Sequence, residues 1–208
     1  MEFMKKILHR VGNFMREYAK LFLIMFGVMI LSTVLGYVMI IAAPESWMNQ
    51  IREWVGEIRE SIIGSVSSVE WFPIFMHNVQ ATLRGFVLGL VPFLYLPFFA
   101  LVLNGLILGV FPAYMSRMGM SAWKMYVFGI LPHGIFEIPA LVIGFTFGMI
   151  VCRKINLSIR KKAGKGEFTD TALSAFLSFF FIVVPLLLAA GLIEGLVTPL
   201  IINKFGFY

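Results

Sequence analysis

A single cysteine, Cys152, in 208 residues excludes an internal disulfide and any cysteine-based zinc site. Charge is nearly as scarce: Asp, Glu, Lys and Arg make up 13% of the chain, against roughly a quarter in ordinary soluble domains. So little charge cannot cover the surface of a soluble protein of this length. Acidic residues are the scarcer sign, 11 against 17 Lys and Arg, for a formal net charge of +6. That surplus does not signal nucleic acid, because most of it lies in two short clusters beside apolar runs, where retention of positive charge on the cytoplasmic side of a membrane is the usual cause. The three histidines include no pair at helical zinc-protease spacing, so no metal is expected. No serine stands near a histidine and an acid at a recognisable spacing. The chain is therefore read as non-enzymatic and without a cofactor.

What is present is apolar: 60% of residues are hydrophobic and 15% aromatic. Several runs exceed the ~20 residues that span a bilayer core as helix. The expected fold is all-α, a polytopic transmembrane helical bundle of about five spans with proline-broken helices and one extracytoplasmic amphipathic helix. Residues 1–20, with Lys5, Lys6, Arg10, Arg16 and Lys20 among apolar positions at helical spacing, predict a basic amphipathic helix on the cytoplasmic face. Residues 21–43 form a first span, too long for the apolar core of a cleaved signal peptide. Residues 44–70 carry Met48, Ile51, Val55, Ile58 and Ile62 on one stripe, with Arg52, Glu53, Glu57 and Glu60 on the others. This amphipathic segment is net acidic, which assigns it to the outer side and makes Arg52, Glu53, Glu57 and Glu60 candidates for partner docking.

Residues 71–204 predict a bundle of about four spans. The prolines of "LVPFLYLP", Pro92 and Pro97, divide its first long run into two helices joined by a tight turn. A further run with Pro132 and Pro139 leads into a cytoplasmic basic loop over 153–168, and the last run, 169–204, reads as one tilted or broken span with a helical hairpin as the alternative. The amino terminus is then cytoplasmic and the carboxyl terminus extracytoplasmic. Four glycine pairs, Gly85 and Gly89, Gly105 and Gly109, Gly144 and Gly148, Gly191 and Gly195, put a small-residue face on each of these spans for close helix packing. Such faces serve contacts within a chain or between copies, so homo-oligomerisation stays open. Membrane lipid is the one partner that composition alone requires.

Ionised groups inside a membrane need a partner or a wet cavity. Arg84, Asn104 and Glu194 lie beside or within the glycine faces, and His133 and Glu137 lie four residues apart in "LPHGIFEIPA", residues 131–140. An intramembrane polar cluster of Arg84, Asn104, His133, Glu137 and Glu194 is expected, with Asn78 and Thr198 nearby. A helix starting at or just after Pro132 puts His133 and Glu137 on one face. Three roles are open for the cluster: a charge-neutral bracket in which Arg84 pairs with Glu137 or Glu194, a proton or ion relay, and metal ligation by His133, Glu137, Glu194 and His77, which is the least supported.

"LPHGIFEIPA" resembles the signature of the stage II sporulation protein M family, and "LRGFVLGL", "LVLNGLILGVF" and "AAGLIEGLVTP" resemble that family's other segments in the same order, over residues 71–203. The resemblance implies a multispan membrane scaffold or anchor, not a hydrolase, that recruits extracytoplasmic peptidoglycan-remodelling proteins of the cell envelope, in sporulation during engulfment. Similar proteins also accompany circular bacteriocin export and immunity, so the alternative is a transporter or channel subunit using intramembrane Glu and His to move a proton, an ion or a peptide. The family's recurrent polar residues correspond to Asn104, His133, Glu137 and Glu194.

Overall fold

In a bilayer only a helix or a closed barrel satisfies every backbone N–H and C=O without water, and the long runs of Leu, Ile, Met, Phe and Val here have neither the alternation nor the turn spacing of barrel strands. The computed structural model describes residues 2–63, 71–161 and 165–205, all helix or short connection. Helix α1 (Glu2–Glu17) leads into α2 (Ala19–Ile41), and a short turn at Glu45–Trp47 opens α3 (Met48–Ile63). Then come α4 (Trp71–Val87), α5 (Leu96–Arg117), α6 (Ala122–Lys124), α7 (Leu131–Ile159), α8 (Lys165–Ser178), α9 (Val184–Leu192) and α10 (Thr198–Phe205). Four continuous helical rods are long and apolar enough to cross a membrane: Ala19–Ile41, Leu96–Arg117, Ala122–Ile159 and Gly166–Phe205. With the helical turn Leu88–Leu90 that follows it, α4 reaches about 30 Å, the thickness of a bilayer core. The protein is a multi-pass membrane protein of all-α class.

The prolines mostly do not break these helices. Pro112 and Pro139 lie inside α5 and α7. The expected helix start at Pro132 is not there: the rod runs unbroken from Ala122 through a π-helical stretch, Met125–Ile130, into α7. Two more π-helical stretches, Phe179–Val183 and Ile193–Val197, join α8, α9 and α10 into one rod rather than a hairpin. Each of the three precedes a proline, Pro132, Pro185 or Pro199, and contains the residue four before it: Phe128, Phe181 and Gly195. A proline ring collides with that carbonyl in an α-turn, and widening the turn removes the collision without ending the helix.

A true break occurs at residues 91–95, as the Pro92 and Pro97 spacing predicts. Phe93 and Tyr95 take the left-handed conformation there, at φ 65° and 47°, which costs a non-glycine residue about 1 kcal/mol or more. The turn is held by α7: Phe93 N–H donates to Asn156 Oδ1 at 2.8 Å, and Cys152 Sγ–H donates to Val91 O at 3.4 Å. Arg160 covers the Phe93 ring, 5.6 Å from its centroid.

Helix α7 is the centre of the bundle. One core cluster joins its Ala140, Phe147, Ile150 and Val151 to Phe14 of α1, Ala175 of α8 and Leu187 of α9. A second joins Leu141, Val142 and Phe145 to Met25 and Met29 of α2 and Leu101 of α5. At the end of the molecule opposite the basic residues 153–161, Ile40, Met48, Val110, Ala113 and Tyr114 pack α3 on α2 and α5. Helix α1 is not left on the lipid surface alone, since Arg10 donates to Ser174 Oγ at 2.8 Å and pairs with Asp170, tying α1 to α8. Segments 64–70, including Glu70 of the amphipathic stretch, and 162–164 of the basic loop lie outside the described residues.

Candidate intramembrane polar site

The glycine faces bring backbones together and so determine what else can meet. On α4 and the helical turn that follows it, Asn78, Thr82, Gly85 and Gly89 recur at helical spacing on one side. A Cβ at Gly89 would lie 2.1 Å from Gly148 O, and one at Gly148 would lie 2.6 Å from Gly85 O, so α4 and its terminal turn cross α7 at backbone contact. Gly105 and Gly109 meet α2, where added Cβ atoms would fall 2.8 Å from Met29 O and 1.9 Å from Thr33 O. Gly191 and Gly195 meet Phe75 and Trp71 of α4. Gly36 of α2 makes the same kind of approach, with an added Cβ 2.3 Å from Leu106 O. It has no second glycine four residues away, the other glycine of α2 being Gly27, so the pair pattern does not mark it.

Between α4, α5, α7 and the π-helical stretch Ile193–Val197, with Met29 of α2 at its wall, lies a half-open cavity of about 310 Å³. His77 and Asn78 enter from α4, Asn104 from α5, His133 and Glu137 from α7, and Glu194 from the last rod. Glu137 is about 20 Å along the rod from Ala122, well inside the apolar length of the span. The nearest oxygen of Glu137 is 3.8 Å from His133 Nε2, and one ligand atom from each of His133, Glu137 and Glu194 lies within 4.8 Å of the others. His133 and Glu137 side chains keep only 13% and 26% of their exposure. Asn104 spends its amide N–H on Ala100 O at 2.8 Å in its own helix, which leaves its carbonyl oxygen as an acceptor. Two buried polar atoms, Asn78 Nδ2 and His133 Nδ1, have no hydrogen-bond partner among the described residues.

Arg84 is not part of the set. It is exposed, absent from the cavity wall, and makes no ion pair among the described residues. The Arg84 bracket is therefore corrected: one residue before Gly85 is about 100° around the helix, and on α4 that flank faces outward. Thr198 is buried, but its hydroxyl bonds Ile193 O in its own helix at 3.3 Å and it does not line the cavity. Among the described residues the cavity holds two carboxylates and two imidazoles with no lysine, no arginine and no hydroxyl or thiol nucleophile. A cation or a proton must supply the balancing charge, because two carboxylates this close in an apolar bundle do not both stay ionised unaided.

A larger apolar groove of about 600 Å³ lies beside the cavity, between α2 and the Trp123–Pro139 side of the third rod, and the two share Met29, Leu108, Ile130, Gly134 and Ile138 as a wall. Of the docking residues expected on the amphipathic segment, Arg52 and Glu53 are exposed on α3, while Glu57 and Glu60 have side chains outside the described residues.

The sequence pattern of a family described as Stage II sporulation protein M matches residues 22–199, which take in α3 to α9, most of α2 and the cavity. The chain belongs to the stage II sporulation protein M family. An uncharacterized protein of the archaeon Methanocaldococcus jannaschii is 31% identical over 128 residues, 62% of this chain and 71% of the relative. No solved structure matches the chain. Within the stage II sporulation protein M match fall all six polar residues of the cavity and all eight paired glycines.

Proposed function

We propose that the protein is a non-enzymatic membrane transport component, a carrier or channel subunit, in which Glu137, Glu194 and His133 take up a proton or a small cation from the extracytoplasmic side. The observation that carries this reading is the charge composition of the cavity: two carboxylates converge inside the bundle while the arginine that would have neutralised them points away. Intramembrane acids that lack a protein counter-charge are a recurring feature of ion and proton pathways. The basic end, with Arg153, Lys154, Arg160 and Lys161, is placed on the cytoplasmic side by the charge rule, which puts the cavity in the outer half of the bundle. Purified full-length protein in lipid vesicles is expected to pass protons or a cation. Glu137→Gln should reduce that flux to the level of empty vesicles, while Arg84→Gln should leave it intact. Silence of the wild-type protein toward protons and toward mono- and divalent cations rules the reading out.

A second reading, favoured by α3, is a scaffold that recruits extracytoplasmic cell-envelope proteins, including the peptidoglycan-remodelling partners of sporulation engulfment. Helix α3 rests on the bundle through Met48 and Ile51 but leaves Trp47, Arg52, Glu53 and Trp54 exposed, the mixture of aromatic and charged groups typical of interface anchors. Replacing Arg52, Glu53 and Trp54 by serine should abolish co-purification of such partners after mild detergent extraction, with the bundle still folded. Capture at the wild-type level removes α3 from that role.

A further inference from the structure

Resting on the cation-uptake reading of the same cavity, we propose that its ligand is a divalent transition-metal ion, held by His133, Glu137 and Glu194. Charge comes first: with both carboxylates ionised and the histidines neutral, a single divalent ion balances the site, where a monovalent ion leaves one charge uncompensated.

Donor type narrows the ion. Magnesium and calcium prefer oxygen-only shells of six or more ligands, whereas one imidazole nitrogen with two carboxylate oxygens is a donor set suited to zinc, manganese, iron or cobalt. Three protein ligands with a remaining position for water is the pattern of an open rather than a purely structural site.

Distances are compatible with small adjustments. Around a metal with bonds of about 2.1 Å, neighbouring donors in a tetrahedron sit about 3.4 Å apart. The His133 Nε2 to Glu137 separation is already 3.8 Å, and the three donors lie within 4.8 Å of one another. Three different positions along the chain contribute: an i, i+4 pair on α7 and a glutamate from the last rod. The π-helical stretch Ile193–Val197 that carries Glu194 re-aims this side chain relative to an α-turn, a use such stretches often have at functional sites.

A second, independent observation points to a bound group. Asn78 Nδ2 and His133 Nδ1 are buried at the cavity without a partner among the described residues, and buried polar atoms are ordinarily satisfied. Both atoms are closed off from the open volume of about 310 Å³ in the present geometry, and the small side-chain turns that would gather His133 and Glu137 round an ion would bring them within reach of ion-bound water. His77 and the free carbonyl of Asn104 line the same cavity and are available to that water.

Full-length protein in detergent, stripped by chelator and titrated with Co²⁺ alone, is expected to bind one ion per chain, read by calorimetry and by the visible absorption band of nitrogen- and oxygen-ligated cobalt, with Zn²⁺ displacing it. Glu137→Gln, Glu194→Gln and His133→Gln should each weaken binding by about 10- to 100-fold or more. Circular dichroism and a monodisperse elution profile check that each variant is folded, and Glu137→Asp, which keeps the charge, should retain measurable binding even where Glu137→Gln unfolds. Absence of binding to folded wild-type protein, or binding unchanged by the three substitutions, overturns the proposal. Glu137-dependent proton flux through vesicles of protein that binds no Co²⁺ overturns it while the transport reading stands. Stoichiometric binding lost in the three variants upholds it, even if vesicles pass no ion and the transport reading falls.

Discussion

Gly89→Ala will lower the thermal unfolding temperature of the detergent-solubilised protein more than any other single alanine substitution at the glycine faces except Gly109→Ala. A methyl group at Gly89 would sit 2.1 Å from Gly148 O and 2.5 Å from Gly148 Cα, and one at Gly109 would sit 1.9 Å from Thr33 O. These neighbours are backbone atoms of helices fixed in two core clusters, so no rotamer change relieves the clash. The helices must separate by an ångström or more, and every packed pair along the crossing loses contact with them. Overpacking a tight core costs about 1–3 kcal/mol, and with backbone on both sides the upper end or beyond is expected. The series has internal comparisons. The nearest atoms to an added Cβ at Gly85 belong to the ring of Phe145, a side chain rather than backbone, so Gly85→Ala should cost less. Gly12 and Gly27 have nothing within 4 Å of an added Cβ; there alanine should be neutral or stabilise by up to about 1 kcal/mol through helix propensity. Equal losses at Gly89 and Gly27 would show that the crossing does not depend on glycine.

Arg117→Ala should destabilise the end of the bundle where α3 packs on α2 and α5 by about 2–3 kcal/mol and open the connection before α3 to proteolysis. Arg117 closes α5, and its guanidinium donates to Ile40 O at 3.1 Å and to Ala43 O, while pairing with Glu45. Its side chain is 16% exposed, whereas that of Glu45 is 85% exposed. The weight therefore falls on the two carbonyls at and just beyond the end of α2, of which Ile40 O also accepts from Ala43 N–H at 3.2 Å, and hydrogen bonds from a charged donor are worth about 1.5–3 kcal/mol. The exposed ion pair adds about 0–1 kcal/mol, so Glu45→Gln should be nearly silent. Arg117→Lys keeps the charge but not the planar fork and should recover only part of the loss. Protease cleavage between residues 42 and 47, followed with time, reads the local opening, and wild-type resistance in Arg117→Ala would refute the clamp.

Much of the architecture was legible beforehand because the bilayer imposes it. Run lengths against about 30 Å of hydrocarbon, and the proline spacing of "LVPFLYLP", locate the rods and the one real turn. Proline elsewhere was the misleading signal. At Pro132, Pro185 and Pro199 the penalty that ends a helix in water is met in this protein by a wider turn, since an exposed break inside a membrane leaves backbone groups unpaired at greater cost. His133 and Glu137 share a face as their spacing requires, but on a continuous rod rather than at a helix start.

The apolar composition and the length of its runs determine, without reference to any contact, that this chain is a multi-pass helical membrane protein, and the order of its motifs determines the family. Which polar residues meet was decided only in three dimensions. Arg84, Asn104 and Glu194 have the same local setting, each directly before a glycine of a packing face, and each is turned about 100° from that face. The outcome depends on whether another helix covers the flank. Helix α5 packs on α7 as well as on α2, and the stretch carrying Glu194 packs on α7 as well as on α4, so Asn104 and Glu194 turn inward to the cavity. The corresponding flank of α4 is exposed, and Arg84 is left outside, because a residue's azimuth on a helix is local but its burial belongs to the neighbours.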